Sequence, residues 1–215
     1  MSCPSRDRGD SVGPTVHIVD DDKSFRAAVG RMLAASGFQI ESYSSGEELL
    51  ARLPRGSGCI LLDLQMPGLS GLELQARLAD LAPLLPIVFL TGRGDIGITV
   101  RAMKAGDHDF LEKPASSAAV LEAVERALQL CETRRMEHDR AQALHTLLAS
   151  LTPRESQVFD LIVRGKRNKQ IAFELNTSER TVKAQRHKVM EKLGVRSLAE
   201  VVSMAERLGL LEKTT

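Results

Sequence analysis

The amino-acid sequence predicts a doubly wound α/β domain on a five-stranded parallel sheet, followed by a small all-α domain with a helix-turn-helix. Three observations predict it. Short apolar runs alternate with amphipathic helical segments five times across residues 14–128. The central runs are apolar almost throughout, as strands buried on both faces of a parallel sheet must be. Past residue 151 the strand signals stop and only helical periodicity remains.

Each element has its own signal. Residues 1–13 are charged and carry Gly, Pro and Ser, so a disordered tail is expected, with no apolar centre of the kind a signal peptide has. TVHIV at 15–19, bounded by Pro14 and Asp20, reads as a buried strand. Residues 23–36 carry Phe25, Val29, Met32 and Leu33 at helical spacing and stop at Gly37. Residues 38–43 are strand-like, and Ser45 with Glu48 offers a capping box for a short helix. GCILL at 58–62 is a fully apolar run ending at Asp63, and residues 72–81 are amphipathic. The next apolar run, 85–90, ends at Thr91. Residues 96–105 read as a helix, 109–112 as a short strand, and helix resumes at Ser116.

Residues 121–151 contain neither Gly nor Pro, so the last helix of the first domain (14–128) is expected to run on through a helical linker, 129–150. The charged stretch 132–140 leaves a solvated helix and a weak coiled coil both open. The second domain, 151–215, opens with a capping box at Thr152 and Glu155, with Pro153 at the first helical position. Ser197 and Glu200 form another. Between them, helices at 168–175 and 178–193 flank a tight turn at Asn176 and Thr177.

Composition narrows the function. The chain has 215 residues, with 29 basic and 28 acidic side chains and a formal charge of +1. That balance hides an asymmetry: 13 basic against 17 acidic residues (−4) in 1–128, but 13 against 8 (+5) in 151–215. An acidic first part and a basic last part predict different partners, and the basic one is a nucleic-acid candidate. Aromatics are only 3%, with no Trp, which argues against a base-stacking platform for single strands. Cys3, Cys59 and Cys131 are too far apart for a disulfide framework or zinc spacing, and read as reduced thiols, Cys59 in the core. The five histidines share no ligand spacing. No apolar segment reaches the length of a membrane span, and the expected location is the cytoplasm.

In a 2-1-3-4-5 sheet the first and third strands are neighbours, so Asp20, Asp21 and Asp63 converge on the carboxyl rim, with Thr91 and Lys113 at the next strand ends. Asp22 is read instead as a helix N-cap. Three close carboxylates repel and call for a cation. Oxygen-only ligands favour a hard divalent ion, Mg²⁺, and a lysine over the rim suits a phosphoryl group. A carboxylate in such a setting is a nucleophile for phosphorus.

The segments HIVDDD (17–22), LLDLQMPG (61–68) with Gly71, LTG (90–92) and FLEKP (110–114) resemble receiver domains of two-component response regulators, which have the flavodoxin-like fold. LTPRE (151–155), residues 165–172, and TVK (181–183) through to Lys192 and Leu193 resemble the NarL/LuxR-type helix-turn-helix. The combination is similar to the FixJ-type subgroup. The resemblance implies Asp63 as phospho-acceptor, Asp21 and Asp63 as direct Mg²⁺ ligands, Asp20 as a ligand through water, and Gln65 through its backbone carbonyl. It implies Thr91 and Lys113 as phosphoryl-binding groups, Phe110 as the aromatic that turns inward, and a cis bond at Lys113–Pro114. The chain departs from the pattern at Ala115, at Asp107 and His108, and at Arg93.

For the second domain, residues 178–193 carry Arg180, Lys183, Gln185, Arg186, His187 and Lys188 on the expected exposed side, with Val182, Val189 and Leu193 spaced to pack on Ile171 and Leu175. The resemblance implies that Lys183, Ala184 and His187 face base edges, and that Lys166, Arg167, Lys169, Arg180 and Arg186 contact phosphates. Gln185 stands where relatives often carry His. The function expected is a transcription regulator that accepts a phosphoryl group from a sensor histidine kinase, dimerises and binds double-stranded promoter DNA, with RNA polymerase as a further partner. A hydrolase with its intermediate on Asp63 would need an acid/base two residues on, where Gln65 stands. A small-molecule sensor would need an aromatic-lined cavity. The remaining alternative is a LuxR-type regulator that works without phosphorylation.

Overall fold

The computed structural model describes residues 13–92 and 109–210. The expected helix 96–105, residues 1–12 of the tail, Arg93, Asp107 and His108 lie outside the described residues. The chain divides into two units at Arg135 and Met136.

The first unit alternates β1 (Thr15–Val19), α1 (Lys23–Ala35), β2 (Gln39–Tyr43), α2 (Gly46–Ala51), β3 (Gly58–Asp63), α3 (Gly71–Leu81), β4 (Ile87–Thr91) and β5 (Asp109–Glu112). All pairings are parallel, in the order β2-β1-β3-β4-β5. β4 starts two residues later than the apolar run, because Pro86 has no N–H to give the ladder and contributes only its carbonyl, which accepts from Ile60 N at 2.9 Å.

Side chains alternate across each strand and feed two apolar layers. On β3, Ile60 and Leu62 join Val19, Leu49, Leu74, Leu78 and Phe89 in one layer. Cys59 and Leu61 join Ile18, Leu33, Val88, Leu90 and Val124 in the other. Every residue of β3 and β4 is buried. Each such Leu, Ile or Val contributes about 1.5–3 kcal/mol relative to exposure, so the central strands are the fixed reference for whatever their carboxyl ends carry.

Helix α4 (Ser117–Ala149) is continuous through the expected linker. Its first turns bury Val120, Ala123, Val124 and Ala127 against the sheet layer. Its last turns pack Leu144, Leu147 and Leu148 on the core of the second unit, while the charged stretch 132–140 before them is mostly exposed. In the second unit, α5 (Pro153–Val163), α6 (Asn168–Glu174), α7 (Glu179–Leu193) and α8 (Leu198–Arg207) enclose a core of Val158, Phe159, Ile162, Ile171, Val182, Val189, Leu193 and Val201. The α6–α7 turn is made by Asn176 at φ 48°, a left-handed position that Asn tolerates. Gly194 at φ 66° ends α7.

Candidate functional site

The carboxyl edge of the first unit collects the residues that the sequence singles out. Asp20 follows β1 and is fully buried; Asp63 ends β3 and is 7% exposed; Asp21 is exposed. One carboxylate oxygen from each of the three lies within 4.8 Å of the others. Lys113, just past β5, donates from Nζ to Asp20 Oδ2 at 2.5 Å and lies 2.9 Å from Asp63 Oδ2. Its backbone N–H donates to the Thr91 carbonyl at 2.7 Å, which ties the end of β4 to the same point, and Thr91 is buried. The Lys113–Pro114 bond is cis. Gln65 N donates to Asp63 Oδ1 at 3.3 Å, turning the chain back on that carboxylate.

Asp22 is the N-cap of α1, accepting from Ser24 N and Phe25 N, and its own N–H donates to Asp20 Oδ1 at 2.8 Å. The aspartate triplet therefore divides its work between two site carboxylates and one cap. Close packing fixes Asp63 from the other side: a Cβ at Gly71 would lie 2.5 Å from the Asp63 carbonyl oxygen, so only glycine lets α3 begin there. Ser70 and Glu73 form a capping box at this start, which the sequence reading passed over.

Electrostatics set the carboxylates apart. Burial pushes the Asp63 carboxyl above the usual aspartate range, against the hydrogen bond from Lys113, with Asp20 adding to the rise. Burial alone would lower the Lys113 ammonium, but its bonds to Asp20 and Asp63 outweigh that and hold it above its ordinary value. Lys113 pairs with two of the three clustered carboxylates, and the donors are all oxygens. This set fits a hard divalent cation by charge and chemistry. It is the one such cluster of metal-ligating side chains among the described residues.

Phe110 is half-buried and stacks on Phe89 with ring centroids 5.2 Å apart. Three neighbours carry no sequence signal for a role here. Arg26 donates to the Asp20 carbonyl. Glu47 Oε1 accepts from Leu69 N at 3.1 Å, pinning the loop after Asp63 from α2. The Phe25 ring lies under Lys113, with Nζ 4.5 Å from its centroid. Each depends on which residues the fold brings near, so only a helical periodicity at Phe25 was visible beforehand. Cys59 and Cys131 are buried free thiols, and burial pushes Cys59 up to about 12.

In the second unit, Arg180, Lys183, Ala184, His187 and Lys188 of α7 are exposed, as are Arg167 and Lys169 at the start of α6. Lys166 is half-buried and paired with Glu174 at 2.9 Å. Gln185 and Arg186, read from the sequence as exposed, are half-buried, and Gln185 Oε1 is shielded without a hydrogen-bond donor. The correction follows from helical geometry: Val182 and Val189 face the core, and residues three and four along from them flank the same stripe. Among the described residues no helix is long and apolar enough to cross a membrane.

Comparison with known proteins agrees with this division. Residues 16–125 match the response regulator receiver domain, and 149–205 match the bacterial regulatory proteins of the luxR family. The chain is 41% identical over 196 residues to nodulation protein W of Bradyrhizobium diazoefficiens, covering 91% of this chain and 86% of that protein. It is 41% identical to the transcriptional regulatory protein FixJ of Rhizobium meliloti, covering 89% and 94%. The structure is similar to the response regulator StyR, with TM-score 0.75 and 47% identity over 90% of this chain and 98% of that one.

Proposed function

The chain belongs to the two-component response regulators that join a receiver domain to a LuxR-type DNA-binding domain, and on that premise we propose that Asp63 is its phospho-acceptor and α7 its reading helix. Regulators of this family control transcription, and phosphorylation of the receiver is the switch that the domain implies.

The observation that carries the reading is the Asp63–Lys113 pair beside the buried Asp20. An Asp63 carboxylate oxygen forms the new O–P bond while the P–N bond to a phosphohistidine of the sensor kinase breaks. The electron pair returns to the imidazole nitrogen, which takes up a proton. Lys113 exchanges its Asp63 contact for a phosphoryl oxygen, and the Thr91 hydroxyl donates to another. Asp20, Asp21 and Asp63, with the Gln65 backbone carbonyl, would hold Mg²⁺, which when bound supplies charge neutralisation of the transferred group. Movement of Thr91 and Phe110 biases a two-state equilibrium toward a homodimer. The dimer presents two α7 helices to a roughly palindromic promoter site in the cytoplasm, from which RNA polymerase is recruited or blocked. Lys183, Ala184 and His187 read base edges; Arg167, Lys169 and Arg180 hold phosphates, with Lys166 and Arg186 joining them by exchanging their present packing.

The test is intact mass after incubation with acetyl phosphate and Mg²⁺. Wild type is expected to gain one phosphoryl group (~80 Da) and Asp63→Asn none. No gain in wild type, with acetyl phosphate and with a cognate kinase, would leave a LuxR-type regulator that works without phosphorylation.

A further inference from the structure

We infer that Phe25 is a positioning residue for phosphoryl transfer: its ring holds the Lys113 ammonium over the acceptor by a cation–π contact. This rests on the reading of Asp63 as phospho-acceptor. The Lys113 Nζ has three restraints, two of them ionic and one not: Asp20 at 2.5 Å, Asp63 at 2.9 Å, and the Phe25 ring centroid at 4.5 Å. The ionic restraints change as the reaction proceeds, because the Asp63 carboxylate becomes an acyl phosphate, a mixed anhydride, and Lys113 must follow the incoming phosphoryl oxygens. The ring keeps its place and its charge distribution throughout. Its negative face attracts the ammonium at little desolvation cost, and it blocks the ammonium from swinging away to water.

The placement of the ring is built in. Phe25 lies in the first turn of α1, and its N–H donates to the Asp22 cap at 3.3 Å. The same aspartate triplet that supplies two site carboxylates therefore sets the ring. Phe25 is only half-buried, packed at the margin of one sheet layer, so filling the core does not account for its position over Lys113. Lys113 is 22% exposed on its side chain, which keeps screening of the contact low.

The experiment uses full-length protein, with wild type, Phe25→Leu, Phe25→Tyr and Asp63→Asn. Phosphorylation by acetyl phosphate is followed by intact mass across Mg²⁺ concentrations. Phe25→Leu, apolar and of similar bulk but without a π face, is expected to lower the limiting rate roughly 2- to 30-fold. Its Mg²⁺ requirement should stay as in wild type, and Phe25→Tyr should restore the rate. A second readout needs no phosphoryl donor: with ¹³C-labelled lysine, the Lys113 ε-methylene signal should be shifted upfield by the ring in wild type and Phe25→Tyr, and should lose that shift in Phe25→Leu. Equal limiting rates in wild type and Phe25→Leu overturn the inference alone. So does an equal loss in Phe25→Leu and Phe25→Tyr that tracks a lowered Tm. A wild type that gains no mass, like Asp63→Asn, overturns the reading beneath it.

Discussion

Each unit holds a nearly buried carboxylate bonded to a lysine, and the two pairs behave in opposite ways. Asp63 sits 2.9 Å from Lys113 in the first unit; Glu155 sits 2.6 Å from Lys192 in the second. Yet the Asp63 carboxyl is pushed up while the Glu155 carboxyl is pulled down to about 2. The difference lies in what else each carboxylate meets. Glu155 pairs with Lys192, whose Nζ otherwise donates to the neutral Ser150 carbonyl at 3.1 Å; it accepts from the Thr152 backbone N–H at 2.8 Å and completes a capping box at the start of α5. Asp63 is buried at a strand end, shares its lysine with Asp20, and feels that second carboxylate. A satisfied ion pair stabilises a fold, whereas an under-compensated one keeps an affinity for added positive charge and for an electrophile. A carboxylate–lysine pair is thus well satisfied in one unit and under-compensated in the other.

Substitutions in matched positions sharpen that contrast. The largest expected effect is in the cores. Leu62→Ala in the first unit and Ile162→Ala in the second should each cost about 2–5 kcal/mol in urea unfolding of the full chain. If the units are energetically separate, each variant shifts only its own transition, and a common shift of both would break the comparison. Next comes α7. Lys183→Ala should cost about 1–3 kcal/mol in DNA affinity and relax preference at one base position, as read by binding to a set of single-base operator variants. A smaller and uniform weakening is expected for Lys169→Ala, with the slope of log affinity against log salt falling by about one; an unchanged slope would remove Lys169 from the phosphate contacts.

Acid stability separates the two carboxylates directly. The folded-state value of Glu155, about 2, lies below its ordinary 4.5, so its contribution is fully present above pH 4.5 and is lost as pH falls toward 2. Glu155→Gln should therefore flatten the acid limb of the second unit's unfolding curve. Asp63 has the opposite sign: its raised value makes the ionised form a burden at neutral pH, and that burden eases on acidification. The smallest effect is expected at Phe173, which is 88% exposed on α6; Phe173→Ser should change unfolding free energy by no more than about 0.5 kcal/mol.

Much of the site was legible before any coordinates. Asp20, Asp63 and Thr91 each follow an apolar run and Lys113 follows the short strand 109–112, and in a parallel sheet the residue after a strand stands on the carboxyl edge. The cap at Thr152 and the exposed Lys183 and His187 follow from local pattern as well. Gln185 and Arg186 were misplaced because the apolar stripe of α7 is narrow, and pattern alone does not say how far the core extends around the helix. Phe25, Arg26 and Glu47 had no signal, since their partners lie on other elements or in the backbone.

The sequence by itself determined the two-unit order, the strand succession, the caps and the set of residues that reach the rim, because periodicity and capping are interactions between near neighbours in the chain. Only the tertiary structure decided that Lys113 bridges Asp20 across 93 positions, that Phe25 lies beneath its ammonium, and that Asp63 and Glu155 differ in acidity. Those depend on distance and burial, which no local pattern encodes: charge interactions grow and desolvation rises only once the fold has excluded water.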